Sequence, residues 1–382
     1  MRHRRRSERR QHPQVPRAAP RPRLQRRPLD GVRGPGRPDD RKVPRLAPKD
    51  PRRAKDTRRR LKGAPNVKQS VALLLCLLGA AALGASVAQA GQARKKLVFI
   101  AGPGSHGFAH HAYHAGFLLF GKLLNENAPS VQAVVLQGWP KDAAALDDAA
   151  AIVLGSDGGG LVHQNLAALD KLVKRGVGLA CIHYTLDLPK GSKAAQLMLD
   201  AIGGYYEQHW SVNPTWEADF KELPKHPIAN GVKPFKISDE WYFHMRFVED
   251  MKGVTPILTA VPPDSAKKGG DGPHSGNPTV RSRLGLPEHV AWALERPGGG
   301  RGFGFTGGHV HWNWGHDQLR KLLLNAFVWV AGADVPPDGV PSKTPTVEEL
   351  AENQHAPRPA DFKPERIQQM IEKWNGAPQP AR

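Results

Sequence analysis

An α/β domain built on a doubly wound, mostly parallel sheet is predicted by three features of the 382-residue sequence. Short, fully apolar runs recur along it. Amphipathic helical stretches separate these runs. Polar loops, several of them glycine-rich, follow the runs where a parallel sheet presents its carboxyl edge. Strands that are apolar throughout are buried on both faces and need helices above and below. Right-handed crossovers then make the sheet doubly wound.

The elements follow in order. Residues 96–101 form the first apolar strand, which runs into Gly102-Pro103-Gly104-Ser105-His106-Gly107. The spacing of Phe117, Leu118, Phe120, Leu123 and Leu124 predicts a helix over 108–126, with His110, His111 and His114 just inside it. Residues 131–136 and 151–155 are further strands, the latter followed by Ser156-Asp157-Gly158-Gly159-Gly160. Leu166, Leu169 and Leu172 mark a helix over 166–174. Residues 177–181 are a fourth strand, with His183 and Tyr184 just beyond its end. From about 204 the chain turns aromatic and histidine-rich. Strands are predicted at 256–260, 289–294 and 302–306, with a Gly/Pro/Lys loop over 262–288. A polar loop at 307–316 precedes a closing helix over 319–330. Residues 336–382 form a Pro-rich tail with short helices, one of them at 364–375.

Charge divides the chain. Residues 1–66 hold 24 basic and 6 acidic residues, whereas 91–382 hold 30 and 29. The body therefore lacks the broad positive field that nucleic-acid binding requires, and no nucleic-acid partner is expected. The Arg/Pro-rich segment 1–66 shows no apolar period and cannot offset its ordering entropy. One reading is a basic tail for nucleic acid or anionic lipid. The preferred reading is an upstream extension outside the natural protein. Residues 67–90 then supply a secretory signal: Lys68, the apolar run 71–83, and Ala88-Gln89-Ala90 before Gly91. On this reading translation starts at Val67. The mature chain starts at Gly91, has no membrane span, and is exported to the periplasm or beyond. Two cysteines exclude a disulfide framework and a thiolate zinc cluster.

Ligands of a doubly wound sheet bind beyond the carboxyl ends of its strands. His106, Asp157, His183 and His309 with His311 follow four different strands, and Asp239-Glu240-Trp241-Tyr242-Phe243-His244 adds carboxylates and an imidazole. The expected cleft uses His183, Glu240, His244 and His309 to move protons. His106, His311, Trp241 and Trp312 contact substrate, the indoles stacking on a sugar ring. The same side chains could instead hold a divalent metal that polarises a carbonyl; the sequence leaves the metal, the sugar and the oligomeric state open. His110 and His114 are spaced for a helical metal pair, yet position 111 is not the Glu of a zincin. Cys181 sits where a strand-to-helix nucleophile would, but Leu179 and His183 replace the small flanking residues of a nucleophile elbow. Two alternatives therefore stand beside a sugar-processing enzyme: a non-catalytic carbohydrate-binding protein, and a Cys181-dependent hydrolase or amidotransferase.

The chain resembles the ThuA-like (trehalose utilisation) family, itself similar in fold to class I glutamine amidotransferases. The pieces are Leu97-Val98-Phe99-Ile100-Ala101-Gly102 with His106 following, Gly178-Leu179-Ala180-Cys181-Ile182-His183, Gly203-Gly204-Tyr205, and His226-Pro227-Ile228. Asp239-Glu240-Trp241-Tyr242, His289-Val290-Ala291-Trp292, Gly302-Phe303-Gly304-Phe305-Thr306-Gly307-Gly308-His309 and the helix from Leu322 to Trp329 complete the set. The resemblance assigns 91–335 to a ThuA-like domain and implies a flavodoxin-like three-layer fold. It also implies a role in carbohydrate catabolism, with a (keto-)sugar or glycoside as partner and isomerase, lyase or hydrolase as reaction classes. Amidotransferase activity is not implied: Cys181 lacks flanking glycines, and His311 is followed by Trp312 and Asn313.

Overall fold

The computed structural model describes residues 93–376. The segment 1–66 and the export signal at 67–90 lie outside the described residues. Along the chain the strands are β1 (Lys95–Ala101), β2 (Val131–Gln137), β3 (Ala149–Gly155) and β4 (Gly178–Ile182), then β5 (Asp187–Leu188) and β6 (Gly204–Glu207). After these come β7 (Thr215–Phe220), β8 (Phe235–Glu240), β9 (Arg246–Phe247), β10 (Val254–Ala260), β11 (Glu288–Glu295) and β12 (Arg301–Phe305). The main helices are α1 (Tyr113–Asn127), α2 (Leu166–Lys174), α3 (Lys193–Ile202), α4 (Asp317–Val330), α5 (Val347–Ala351) and α6 (Pro364–Asn375).

Seven strands form the central sheet in the order β10-β11-β12-β4-β3-β1-β2. β1 pairs in parallel with β2 and β3, β3 with β4, and β4 with β12. Only β11 is reversed, antiparallel to both of its neighbours. Successive strand side chains point to opposite faces, so each strand feeds two cores. Leu97, Phe99, Val153 and Ala180 pack with α1 and α4 on one face. Val98, Ile100, Ile152, Leu154 and Cys181 pack with α2 and α3 on the other. Helices cover both faces, which gives the three-layer architecture. Gly304 lets β12 lie against an indole, since a Cβ there would stand 2.2 Å from the Trp292 ring. Among the described residues no helix is long and apolar enough to cross a membrane.

The first helix begins five residues later than its apolar spacing suggests. Ala109 (φ 61°) and His111 (φ 48°) take left-handed conformations that a helix cannot contain. His110 and His111 therefore precede α1, and the helical His110/His114 metal pair has no structural basis. The segment 204–247 holds β6 and β9, which form a three-stranded sheet with β5, and the antiparallel hairpin β7–β8. Pairing along this hairpin ends at Thr215 opposite Glu240. Within 262–288, single-turn helices form at Asp264–Lys267 and Pro278–Arg281. Beyond α4 the chain returns over the domain. Phe362 stacks on Trp312 with centroids 5.4 Å apart, Gln354 accepts from the Ala109 amide at 3.1 Å, and His355 Nε2 donates to the His106 carbonyl at 2.7 Å.

His316 caps α4, its Nδ1 accepting from the amides of Gln318 (3.2 Å) and Leu319 (3.5 Å). Burial holds this imidazole at about 4, so the unfolded chain takes up a proton near 6.5 that the folded chain refuses. Its contribution is complete above pH 6.5 and is lost as pH falls towards 4. Urea denaturation should show His316→Ala costing at least about 1 kcal/mol at pH 7. His316→Asn, which keeps a cap, should lose less stability between pH 7 and pH 5 than the parent does.

Candidate functional site

The site forms where β1, β3, β4, β8 and β12 reach one edge of the fold. The loop after β1 carries His111, the end of β3 Asp157, the end of β4 His183, the last residue of β8 Glu240, and the loop after β12 His309. Backbone conformation fixes two of these. His111 (φ 48°) and His183 (φ 54°) are both left-handed, a state that costs on the order of 1–3 kcal/mol per residue and persists only where its surroundings impose it. Asp239, fully buried next to Glu240, sets a third. Its carboxylate accepts from the amides of Gly308 (2.8 Å) and Val310 (3.2 Å) and so holds His309 between them. Gly308 (φ 108°) supplies a conformation that other residues rarely adopt.

The imidazoles are oriented from behind. His183 Nδ1 donates to the Thr306 carbonyl at 2.7 Å. A carbonyl only accepts, so the Nδ1 carries the proton and the Nε2 lone pair faces inward. His111 Nδ1 bonds Asp157, whose carboxylate also accepts from the Tyr113 hydroxyl at 3.2 Å. His111 Nε2 then lies 3.0 Å from His183 Nε2 and 2.8 Å from His309 Nδ1. Glu240 Oε2 lies 3.4 Å from His183 Nε2 and 3.3 Å from His309 Nδ1. The Tyr242 hydroxyl lies 3.1 Å from His183 Nε2, and Asn213 donates to the other oxygen of Glu240 at 3.2 Å. The three nitrogens and the carboxylate oxygen all lie within 4.8 Å of one another.

Burial lowers the His111 imidazole to about 4, with His183 and His106 adding to the effect and Asp157 opposing it. Burial pushes Glu240 up, but the imidazoles of His183 and His309 beside it outweigh burial and hold the carboxyl at about 2. At neutral pH this set is thus a neutral His111 and an ionised Glu240, both in the state that binds a cation. A cavity of about 140 Å³ opens beside it, bounded by His106, Tyr184, Asn213, Tyr242 and His274 as well as by His111 and Glu240.

Of the eight residues that the sequence singles out for the cleft, the structure brings together His183, Glu240 and His309, with His106 at the rim, its ring 3.8 Å from that of His111. It does not bring in the other four. Trp241 is fully buried, its indole donating to Ile237 and meeting Phe220 and Phe305 edge-on, so it cannot wall a sugar site. Trp312 is buried under Phe108 and Phe362. His311 points into the core beside Gly116 and Trp314, and burial holds it at about 4. His244 stacks on Trp210 at 4.3 Å, away from the cluster, and burial together with Arg283 and Arg246 lowers it to about 4. The Cys181 thiol is fully buried, 3.6 Å from the Met198 sulfur, and burial raises its pKa, so it lacks both the access and the thiolate character of a nucleophile. Sequence reasoning gives no role to His111, the centre of the cluster, because its apolar surroundings place it on a helix. It also gives none to Asn213, Tyr242 and His274. Only the position of Asp157 at a strand end hints at that residue.

The family model described as trehalose utilisation, ThuA, matches residues 97–330. That span contains His111, Asp157, His183, Glu240 and His309. A search of curated proteins gave no match. Among solved structures, a ThuA-like protein from Bacteroides uniformis is 17% identical with a TM-score of 0.45, over 64% of this chain and 94% of its own. A ThuA-like protein from Parabacteroides merdae is 13% identical with a TM-score of 0.41, over 68% of this chain and 100% of its own. With more than half of its length matched, the chain belongs to the ThuA family, whose description connects it in broad terms with carbohydrate use.

Proposed function

We propose that this protein is an exported carbohydrate-processing enzyme that binds a divalent metal through His111, His183, His309 and Glu240 and uses it on a sugar carbonyl. One observation carries the reading. The Nδ1 proton of His183 is committed to a carbonyl and that of His111 to a carboxylate, so their Nε2 lone pairs meet at 3.0 Å. Two lone pairs at that separation repel, and a cation between them removes the repulsion. Ligand atoms about 2.1 Å from a tetrahedral ion stand about 3.4 Å apart; four of the six separations here run from 2.8 to 3.4 Å, and all lie within 4.8 Å. The Asp157–His111 pair has the form of the carboxylate–histidine arrangement that orients metal ligands. Three imidazoles and one carboxylate suit zinc, iron, nickel or copper better than magnesium or calcium.

The carbohydrate part of the reading is supported by the family and by the cavity wall. Phenols, an amide and imidazoles offer the neutral hydrogen-bonding groups that hydroxyls pair with. A metal acting as Lewis acid would polarise a carbonyl held there. Burial of Trp241 and Trp312 takes away the stacking platforms of a pure binding module, and burial of Cys181 argues against thiol chemistry. Export rests on the signal pattern at 67–90, and N-terminal sequencing of the mature chain tests it.

Elemental analysis of the purified chain should find about one transition-metal ion per molecule. Chelation should abolish turnover across a panel of glycosides and 3-keto-glycosides, and full turnover by metal-free protein would sink the proposal. His183→Ala and Glu240→Gln should lose the ion. Asp157→Asn, which leaves all four ligands in place, should weaken metal affinity about 10–100-fold. Cys181→Ala should keep both metal and turnover; loss of turnover with metal retained would restore the thiol route.

A further inference from the structure

Asp187 is a buried carboxylate that the metal cluster does not use. It begins β5, shortly after His183, and is 5% exposed. Among the described residues its one cationic-capable neighbour is His274, whose Nδ1 lies 3.8 Å from Asp187 Oδ2. Gln208 donates to the other carboxylate oxygen at 3.2 Å. His274 Nδ1 also lies 3.1 Å from the Tyr206 hydroxyl, and the two rings stack at 5.5 Å. Asp187 and Tyr206 thus fix one imidazole, which is itself one-third exposed and borders the cavity beside the cluster.

The segment that carries His274 is pinned as well. Its backbone closes on itself through a Gly272–Gly276 bridge. The His209 amide donates to the Pro273 carbonyl at 3.0 Å, and the Asn213 amide donates to the His274 carbonyl at 3.2 Å. The Asn213 side chain donates to Glu240. One residue therefore ties the His274 loop to a ligand of the proposed metal and keeps imidazole and cluster in fixed register across the cavity.

We propose that His274, oriented by Tyr206 and backed by Asp187, is the proton-transfer residue of this site, acting on a sugar held between it and the His111–His183–His309–Glu240 cluster. The inference rests on the metal-site reading and deepens it. In the step assigned to His274, a C–H bond next to the sugar carbonyl breaks and its proton goes to Nε2. The electron pair becomes the new C=C bond, and the carbonyl oxygen takes the charge on the side of the cluster. The hydroxyl proton on the carbon that lost its hydrogen passes to the former carbonyl oxygen, and return of the Nε2 proton to the former carbonyl carbon leaves the carbonyl on the neighbouring carbon, an isomerisation with no other reactant. Asp187 is a positioning residue, since it acts only through the imidazole.

The groups facing His274 are Asp187 from β5, Tyr206 from β6, Tyr184 from the turn after β4, and, across the cavity, Tyr242, Glu240, His106 and His111. Burial raises the three phenols, which stay neutral, and raises the Asp187 carboxyl. NMR titration of the His274 ring in the Zn²⁺-loaded full chain tests the pair without any substrate. Asp187→Asn should lower the His274 pKa by about half a unit or more, because a carboxylate favours the imidazolium. Tyr206→Phe, a second variant that keeps the ring, should also move it. With the keto-glycoside panel, His274→Gln should keep its zinc and its KM while kcat falls about 100-fold. An unmoved titration in Asp187→Asn, wild-type kcat in His274→Gln, or loss of zinc from His274→Gln would each overturn the proposal. A moved titration in a chain that binds no zinc would instead overturn the metal reading and leave the pair standing.

Discussion

The functional end of this molecule depends on the 3.0 Å approach of His111 Nε2 to His183 Nε2. Imidazoles usually separate in a metal-free interior or share a proton. Here Thr306 and Asp157 take the outward protons and aim the inward lone pairs at each other. The fold maintains this against electrostatic repulsion and against two left-handed backbone conformations. Strain of this kind clusters where a site must be pre-formed before its ligand arrives. Asp239 serves the same end from below: its bonds to the amides of Gly308 and Val310 set where His309 stands.

The scaffold was readable because each central strand carries a continuous apolar run. Runs such as 151–155 and 177–181 have one stable solution, burial on both faces, and the alternation of Val98 and Phe99 into opposite cores follows directly. The hairpin β7–β8 was not readable as a strand pair. Its alternation is genuine, with Trp216, Ala218 and Phe220 inward, but it is short and bordered by prolines that suggest loops. The helix starting at 108 failed for a different reason. Apolar spacing reports which face is buried and says nothing about a φ of 61° at Ala109.

The same distinction governs the site. Residues that leave the ends of apolar strands, such as His183 and His309, could be named from position alone, since strand direction fixes where the chain emerges. The tryptophans could not. A large aromatic near polar residues serves equally as a sugar platform or as core filler, and sequence carries no signal for the choice. Trp312 became core because Phe362, 50 residues later, returns to cover it. His111 was missed through the helix error, although its ring bonds Asp157 and stands within 3.0 Å of His183 and His309 at the centre of the cluster.

The arrangement divides the labour of the site between two parts of the chain. The parallel sheet delivers the imidazoles His111, His183 and His309 from the segments that follow β1, β4 and β12. The segment from 204 to 288, outside the regular β–α alternation, delivers Glu240, Asn213, Tyr242 and His274. The first part supplies three of the four candidate ligands and, through His106, His111 and Tyr184, one side of the cavity. The second part closes the cavity and supplies every non-imidazole donor on its wall except Tyr184. On the proposed reading, family members that keep these histidines and vary this segment would keep the metal chemistry and change the sugar. Asn213 is the hinge of that division, because its backbone holds the His274 loop while its side chain holds Glu240. Removing its side chain alone would separate the two functions: Asn213→Ala leaves the amide that anchors the loop and frees the carboxylate that faces the proposed metal.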